Sequence, residues 1–255
     1  MKEVLRLSPE KCDLFVKLFS KISQHTPKGA PIFIRNSKII KGLSSSIVYL
    51  DLSTLFEKDD INLDILDHNK AVSLFRTIKT DDDIIIFDDE NKNAYFVFYK
   101  LVSENNDVYC YFKLEKADEI IDQEEEIPDL SSYKLIDEID IDKNTFKTIE
   151  KVFKITKPDT IEFLIKDNKI SGISVPDGIT LSFTKENKID EDEKCLSLKS
   201  TDFLIFDGDN INVKIFTNDN NEFLALYTYT ISEKGVNVDL KLCEVLADSL
   251  DEVEL

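Results

Sequence analysis

The chain predicts an α+β protein made of two tandem copies of one domain. Three observations carry this: a hairpin written twice, the same order of elements around each copy, and a near-constant offset between them. "FIRNSKIIKGLS" begins at Phe33 and "LIKDNKISGIS" at Leu164. Both read as two apolar residues, a basic residue, two turn formers, Lys-Ile and then Gly-apolar-Ser. Lys38 precedes Lys169 by 131 positions, Gly42 precedes Gly172 by 130 and Phe87 precedes Phe216 by 129. Self-similarity at one offset, with the blocks in one order, marks a repeated unit.

In the first copy, "LSPEKCDLFVKLFSKIS" places Leu14, Phe15, Leu18, Phe19 and Ile22 at helical spacing, with Ser8 as cap and Pro9 at the first helical position. The hairpin follows. "INLDILDHNKAVSLFRTI" then reads as a short strand entering a short amphipathic helix, and "IIIFDDENKNAYFVFY" as strand, polar turn and strand. The second copy repeats the order. "IDKNTFKTIEKVFKI" places Phe146, Ile149, Val152 and Phe153 on one helical face, "KCLSLKSTDFLIF" predicts a strand entering a short helix around Asp202 and Phe203, and "NVKIFTNDNNEFLALYT" closes the set. The expected division is a domain over 1–117, an acidic connector over 118–132 containing Pro128, a second domain over 133–246 and an acidic tail over 247–255.

Several classes of chemistry lack their signatures. Six glycines are few, and neither G-x-G-x-x-G nor G-x-x-x-x-G-K-S/T occurs, so those phosphate-cradling loops are missing. Cys12, Cys110, Cys195 and Cys243 form no C-x-x-C pair, and only His25 and His68 are available as nitrogen ligands. A zinc site is not expected, and buried thiols in a reducing compartment are. There is no G-x-S-x-G elbow, and with 51 Asp and Glu no carboxylate pair stands out as an acid and base. No catalytic residue, metal or cofactor is expected. No apolar run reaches 18 residues and "MKEVLRLSPEK" is no leader, which predicts neither a membrane span nor secretion.

The charge is unevenly placed. The formal total is −19, which by itself argues against affinity for free nucleic acid. Yet Lys143, Lys147, Lys151 and Lys154 form one stripe opposite Phe146, Ile149 and Phe153. Lys17 and Lys21 repeat the four-residue step near Lys11, and Lys70, Arg76 and Lys79 lie in a segment without acids. Residues 9–23, 68–79 and 143–157 together carry +8, leaving −27 on the rest. Lysine on outer helix faces ordinarily only solubilises. Positive helices on so negative a body point instead to one shared surface that meets a polyanion, although the segment around Asp202 and Phe203 lacks basic residues.

Taken together, the tandem order, the connector ending in "IPDLSSY" and the stretch "YTYTISEKGVNVDLKLCEVL" resemble the DNA sliding clamps, of both the proliferating cell nuclear antigen type and the T4-like bacteriophage type. The resemblance covers essentially the whole chain. Its most specific residues are Ile127, Pro128 and Tyr133, with Tyr229, Ile231 and Gly235 near the end. "DTIEFLIKDNKISGIS" is similar to the phage branch, and few Arg beside many Lys, Asn and Ile fits an AT-rich genome.

The resemblance implies a homotrimeric ring with sheets outside and helices lining a central hole. Duplex DNA would pass through it and meet Lys11, Lys17, Lys21, Lys70, Arg76, Lys79, Lys143, Lys147, Lys151 and Lys154. Ring closure would pair an edge strand carrying Val108, Tyr109 and Tyr111 with one carrying Ile179, Leu181 and Phe183. A DNA polymerase and a clamp loader would insert apolar motifs into a pocket of Ile47, Val48, Tyr49, Ile127, Pro128, Tyr133, Leu224, Leu240 and Leu242. The implied role is a non-catalytic processivity factor, in the host cytoplasm if viral and in the nucleus if eukaryotic. A β-rich protein-interaction module without a ring, or a processivity factor that is not a trimer, is the alternative.

Overall fold

The structure is a computed structural model, and it describes residues 1–43, 45–104, 106–117, 128–183, 196–233 and 235–248. Strands take about half of the described residues and helices about a fifth. The chain is a mixed, strand-rich fold. It divides into one compact unit of Met1–Ser44, Val48–Glu126 and Ser232–Asp239, and a second of Ser45–Ile47, Ile127–Ile231 and Leu240–Leu255.

The first half of the chain forms β1 (Lys2–Leu7), α1 (Pro9–His25), β2 (Ile32–Ile34), β3 (Lys38–Gly42), β4 (Ser46–Asp51), α2 (Ser53–Phe56), β5 (Leu63–Ile65), α3 (His68–Phe75), β6 (Ile84–Asp89), β7 (Ala94–Leu101) and β8 (Val108–Glu115). Helix α1 starts where the sequence places it: the Ser8 hydroxyl accepts from Lys11 N–H at 3.4 Å, and Pro9 occupies the first turn, where no N–H is needed. Its apolar stripe is fully buried, with Phe15 stacking on Phe19 at 5.3 Å and meeting Phe75 of α3 edge-on at 5.7 Å. One antiparallel sheet runs β1-β6-β7-β8.

The second half forms β9 (Lys134–Asp142), α4 (Lys143–Thr156), β10 (Ile161–Lys166), β11 (Lys169–Val175), β12 (Ile179–Ser182), β13 (Leu196–Ser200), β14 (Asn210–Thr217), β15 (Phe223–Glu233) and β16 (Val236–Asp248). Its strands run β12-β11-β10-β13-β16-β15-β14-β9. The segment β9-β14-β15-β16 repeats the order β1-β6-β7-β8 at the matching chain positions. The two quoted hairpins are also built alike. Asn36 and Ser37 join β2 to β3 with φ of 48° and 60°, and Asp167 and Asn168 join β10 to β11 with 51° and 59°. Two successive positive φ values make the tight turn whose twist suits a two-residue hairpin, and short polar residues tolerate them.

Two expectations need correction. No helix forms around Asp202 and Phe203; residues 201–206 make turns and bends. Side chains take the backbone groups that a helix would have used. Glu244 accepts from the N–H groups of Thr201 at 2.7 Å and Asp202 at 3.0 Å, Ser200 Oγ accepts from Phe203 N–H at 3.3 Å, and Tyr229 donates to the Phe203 carbonyl at 2.7 Å. Phe203 is fully buried against Phe146, Phe163 and Tyr227, at centroid distances of 5.6, 5.6 and 5.3 Å. The second difference is at the end of the chain, where β16 takes in Ala247 and Asp248, assigned by the sequence to the tail.

Gly172 shows how closely β11 and β12 approach. A Cβ there would lie 2.5 Å from the Leu181 carbonyl oxygen, a backbone atom that cannot swing away. Gly172→Ala is expected to lower stability by about 1–3 kcal/mol, the usual cost of overpacking. Thermal unfolding checks this, and an unchanged midpoint would mean that the two strands part without cost.

Candidate functional site

Three groups of residues singled out by the sequence have separable fates in the structure. On α4, Asp142 caps the first turn by accepting from Asn144 and Thr145 N–H at 2.8 and 3.1 Å, which fixes the phase of the helix. Phe146 and Ile149 then face the core, and Lys143, Lys147, Lys151 and Lys154 are all exposed. Lys143 pairs with Asp209, and Lys154 pairs with Glu150 one turn away. Lys147 and Lys151 have no ion pair among the described residues, so their ammonium groups remain available to an anion.

The first unit is more mixed. Lys11 pairs with Glu57 and is half-buried; Lys17 pairs with Glu233 at 3.3 Å. Lys21 is half-buried on α1, Lys70 is exposed on α3 and Lys79 is exposed in the loop before β6. Arg76 follows α3 and donates to Ser20 Oγ of α1 at 2.6 Å, which holds its guanidinium beside the Lys17 and Lys21 helix. Exposed ion pairs of this kind contribute little to stability. The basic side chains of α1 and α3 therefore lie on neighbouring helices of one unit, where Lys21, Lys70, Arg76 and Lys79 have no ion pair among the described residues, as Lys147 and Lys151 have none on α4.

The edge strands are the second group. β8 ends the order β1-β6-β7-β8, and β12 ends the order that begins with it. Near its C-terminal end β8 meets the β5 segment, through Leu66 N–H to the Glu115 carbonyl at 3.2 Å and a bridge between Ile65 and Lys116. From 108 to 113 its outer side has no strand beside it among the described residues. Val108, Tyr109 and Tyr111 keep 38%, 73% and 65% of their surface exposed there. On β12, Ile179 and Leu181 are half-buried and Phe183, just beyond it, is 40% exposed. β16, which holds in the second half the place of β8, is covered instead: Val245 N–H donates to the Ser45 carbonyl at 3.4 Å, where β4 begins.

The third group divides. Val48, Leu224, Leu240 and Leu242 are core residues, none more than 2% exposed, because each occupies an inward position on its strand. Ile47, Tyr49, Pro128 and Tyr133 are half-buried, and the Tyr133 hydroxyl reaches Glu222 at 3.5 Å. Ile127, most of the acidic connector, Cys195 and 249–255 lie outside the described residues. Of the other cysteines, burial pushes Cys12 up to about 12 and Cys243 up to about 11, so both are protonated, unreactive thiols.

Sequence reasoning missed a buried polar cluster in the second unit. Glu244 is 1% exposed and Asp202 is 4% exposed, yet neither meets a cation among the described residues. Besides the two amides, Glu244 accepts from Ser200 at 2.6 Å and Tyr227 at 3.0 Å, and Asp202 accepts from Ser45 and Ser46 at 2.8 and 2.6 Å. Burial raises the Glu244 carboxyl above its ordinary range, opposed by the hydrogen bonds from Ser200 and Thr201. Donors reach both oxygens of Glu244 and Oδ2 of Asp202 and hold the 201–206 turn, which makes the cluster a structural device. Only the unusual acid within an apolar strand, "LKLCEVL", hinted at it.

Among the described residues no group of three or more His, Cys, Asp and Glu is arranged to hold a metal, and no helix is long and apolar enough to cross a membrane. Comparison with protein families finds none that matches the chain, and comparison with curated proteins also finds no match.

Proposed function

We propose that the chain is a sliding clamp: a homotrimeric ring that encircles duplex DNA and tethers a DNA polymerase for processive synthesis, with no catalysis of its own. The observation that carries this reading is the pair of open edges. β8 over Val108–Lys113 and β12 over Ile179–Leu181 each stand at the end of their strand order among the described residues and present exposed or half-buried apolar side chains, and such edges are normally blunted or covered. The matching place in the second half, on β16, is already covered by the start of β4. Head-to-tail pairing of β8 with β12 of the next copy repeats that arrangement and, when the rotation closes, gives a ring.

The charge fits the same reading. A ring that only encircles its substrate needs phosphate attraction without base contacts, and lysine supplies it as a flexible point charge that passes from one phosphate to the next. Lys147 and Lys151 on α4, with Lys21 and Lys70 in the first unit, are the side chains proposed to face DNA. The acidic remainder repels stray duplex, so retention is topological. A motif of the polymerase or of a clamp loader is proposed to dock by Pro128 and Tyr133.

The test combines mass and topology. Light scattering is expected to give a trimer, and Tyr109→Glu/Tyr111→Glu a monomer, since a charge in place of each aromatic removes roughly 2 kcal/mol of apolar burial or more per site. Once loaded on circular DNA the wild type should stay bound until the circle is cut. A monomer that leaves circular and linear DNA equally fast would sink the proposal.

A further inference from the structure

β4 and β12 hold matching places, each following a strand, a helix and a hairpin. At an offset of 131 residues Val48 corresponds to Ile179 and Leu50 to Leu181. Their burial differs. Val48 and Leu50 are fully buried on a strand that pairs with β16, whereas Ile179 and Leu181 are half-buried on a strand that ends its order. β8 and β16 show the same contrast at an offset of 130, with Cys110 and Phe112 half-buried where Leu240 and Leu242 are fully buried. The chain thus carries one finished joint, β4 with β16, and the two halves of an unfinished one.

Each unfinished half has a helix beside its apolar side. Ile179 and Leu181 stand directly opposite the buried Val175 and Ile173 of β11, so they share the core face of that sheet. The last turn of α4 lies against the start of this strand: a Cβ on Gly178 would come within 2.4 Å of Val152 Cγ1 and 3.2 Å of Thr156 Cγ2. Val152 is half-buried there and Ile155 is 70% exposed. On the other half, Phe112 meets Phe75 of α3 edge-on at 5.4 Å, and the Tyr99 hydroxyl hydrogen-bonds to Cys110 and to Thr77, which follows α3. Leu74 of α3 and Ile78 just beyond it are half-buried.

The finished joint shows what these helix ends are for. Phe15 and Leu18 of α1 correspond to Phe146 and Ile149 of α4 at the 131-residue offset, all four buried, so the two helices share one phase. At that offset Val152 and Ile155 correspond to Lys21 and Gln24. The place of α3 in the second half is taken by the 201–206 turn. A polar helix end therefore belongs to the joint without a second helix, and an apolar helix end to the joint where α3 is present.

We infer that the last turn of α4 forms, with β12, one half of an interface between copies of this chain, and that Val152 and Ile155 pack on the α3–β8 side of the next copy, against Leu74, Ile78, Cys110 and Phe112. The inference rests on the ring reading and adds selectivity to it. Backbone hydrogen bonds can be supplied by any strand edge, whereas an apolar helix end accepts only an edge that brings an apolar helix beside it.

Dissociation and cross-linking of the full-length protein test the seam. Ile155→Ala is expected to dissociate on dilution at roughly thirtyfold higher concentration than the wild type by mass photometry, the fold-change equivalent of about 2 kcal/mol and the size expected when one isoleucine loses its burial. Circular dichroism should be unchanged, since Ile155 faces solvent in the single chain. Ile155→Cys treated with bismaleimidohexane should link neighbouring copies through Cys110, and Ile155→Cys/Cys110→Ser should lose that product. A wild type that assembles while Ile155→Ala dissociates alike, or while the linked product persists without Cys110, would overturn the helix seam and leave the ring standing. A wild type that is monomeric at every concentration would remove the ring and the seam with it.

Discussion

Lys147→Glu/Lys151→Glu is expected to cut stimulation of DNA synthesis by roughly ten- to a hundredfold while the mass in solution stays that of the wild type. Both residues are exposed on α4, opposite the buried Phe146 and Ile149, so the substitutions touch neither the core nor the edge strands. They are the better choice than Lys143 and Lys154, whose charges Asp209 and Glu150 already offset. The net charge of each chain falls by four units, a change that the proposed trimer would bring three times to one DNA axis. Phosphate contacts release counterions, so the variant should also show a shallower dependence on salt. Two glutamates a turn apart cost a few tenths of a kcal/mol of helix stability, too little to unfold the unit. Primer extension on a circular template, with light scattering alongside, checks both halves. Unchanged stimulation with mass retained would take α4 away from DNA.

Glu244→Ala is expected to destabilise the second unit by about 1–3 kcal/mol for each buried donor left without an acceptor, a large part of the stability of a marginal domain. The substitution strips the acceptor from the Thr201 and Asp202 amides and from the Ser200 and Tyr227 hydroxyls, all held in the interior. Unsatisfied buried donors bear their full desolvation cost. Glu244→Gln keeps one oxygen and the shape, and should lose less. The two variants also differ in pH dependence. Burial raises the folded-state value above the ordinary 4.5, so the folded chain holds this proton more tightly than the unfolded one. The contribution of Glu244 is therefore largest at low pH and declines as pH climbs from the unfolded value through the folded one. Denaturant unfolding across that window should show the decline in the wild type and a flatter course in Glu244→Gln. A loss for the alanine variant no larger than that of a surface substitution would show that the 201–206 turn holds without the carboxylate.

Much of the fold was legible because it is local. The cap at Ser8, the spacing from Leu14 to Ile22 and the paired turn formers at Asn36-Ser37 and Asp167-Asn168 each specify their geometry within a few residues. The lysine stripe on α4 was legible for the same reason, since a helix converts sequence spacing directly into a face. The predicted helix at Asp202 failed for the opposite reason. Its backbone is claimed by Glu244, 42 residues later, and no local pattern announces a partner that distant. Four residues of the expected docking pocket, Val48, Leu224, Leu240 and Leu242, read equally well as core, and burial rather than pattern separates the two.

The sequence by itself determined that an order of strands recurs in the two halves, where the principal helices and hairpins begin, and that positive charge gathers on helices of a negative protein. Tertiary structure alone decided which strands stay open among the described residues and how the carboxylate of Glu244 replaces a helix with a turn. The physical reason is range. Periodicity and turn chemistry act between neighbours, whereas a sheet edge and a buried acid exist only once segments far apart in the chain have packed together.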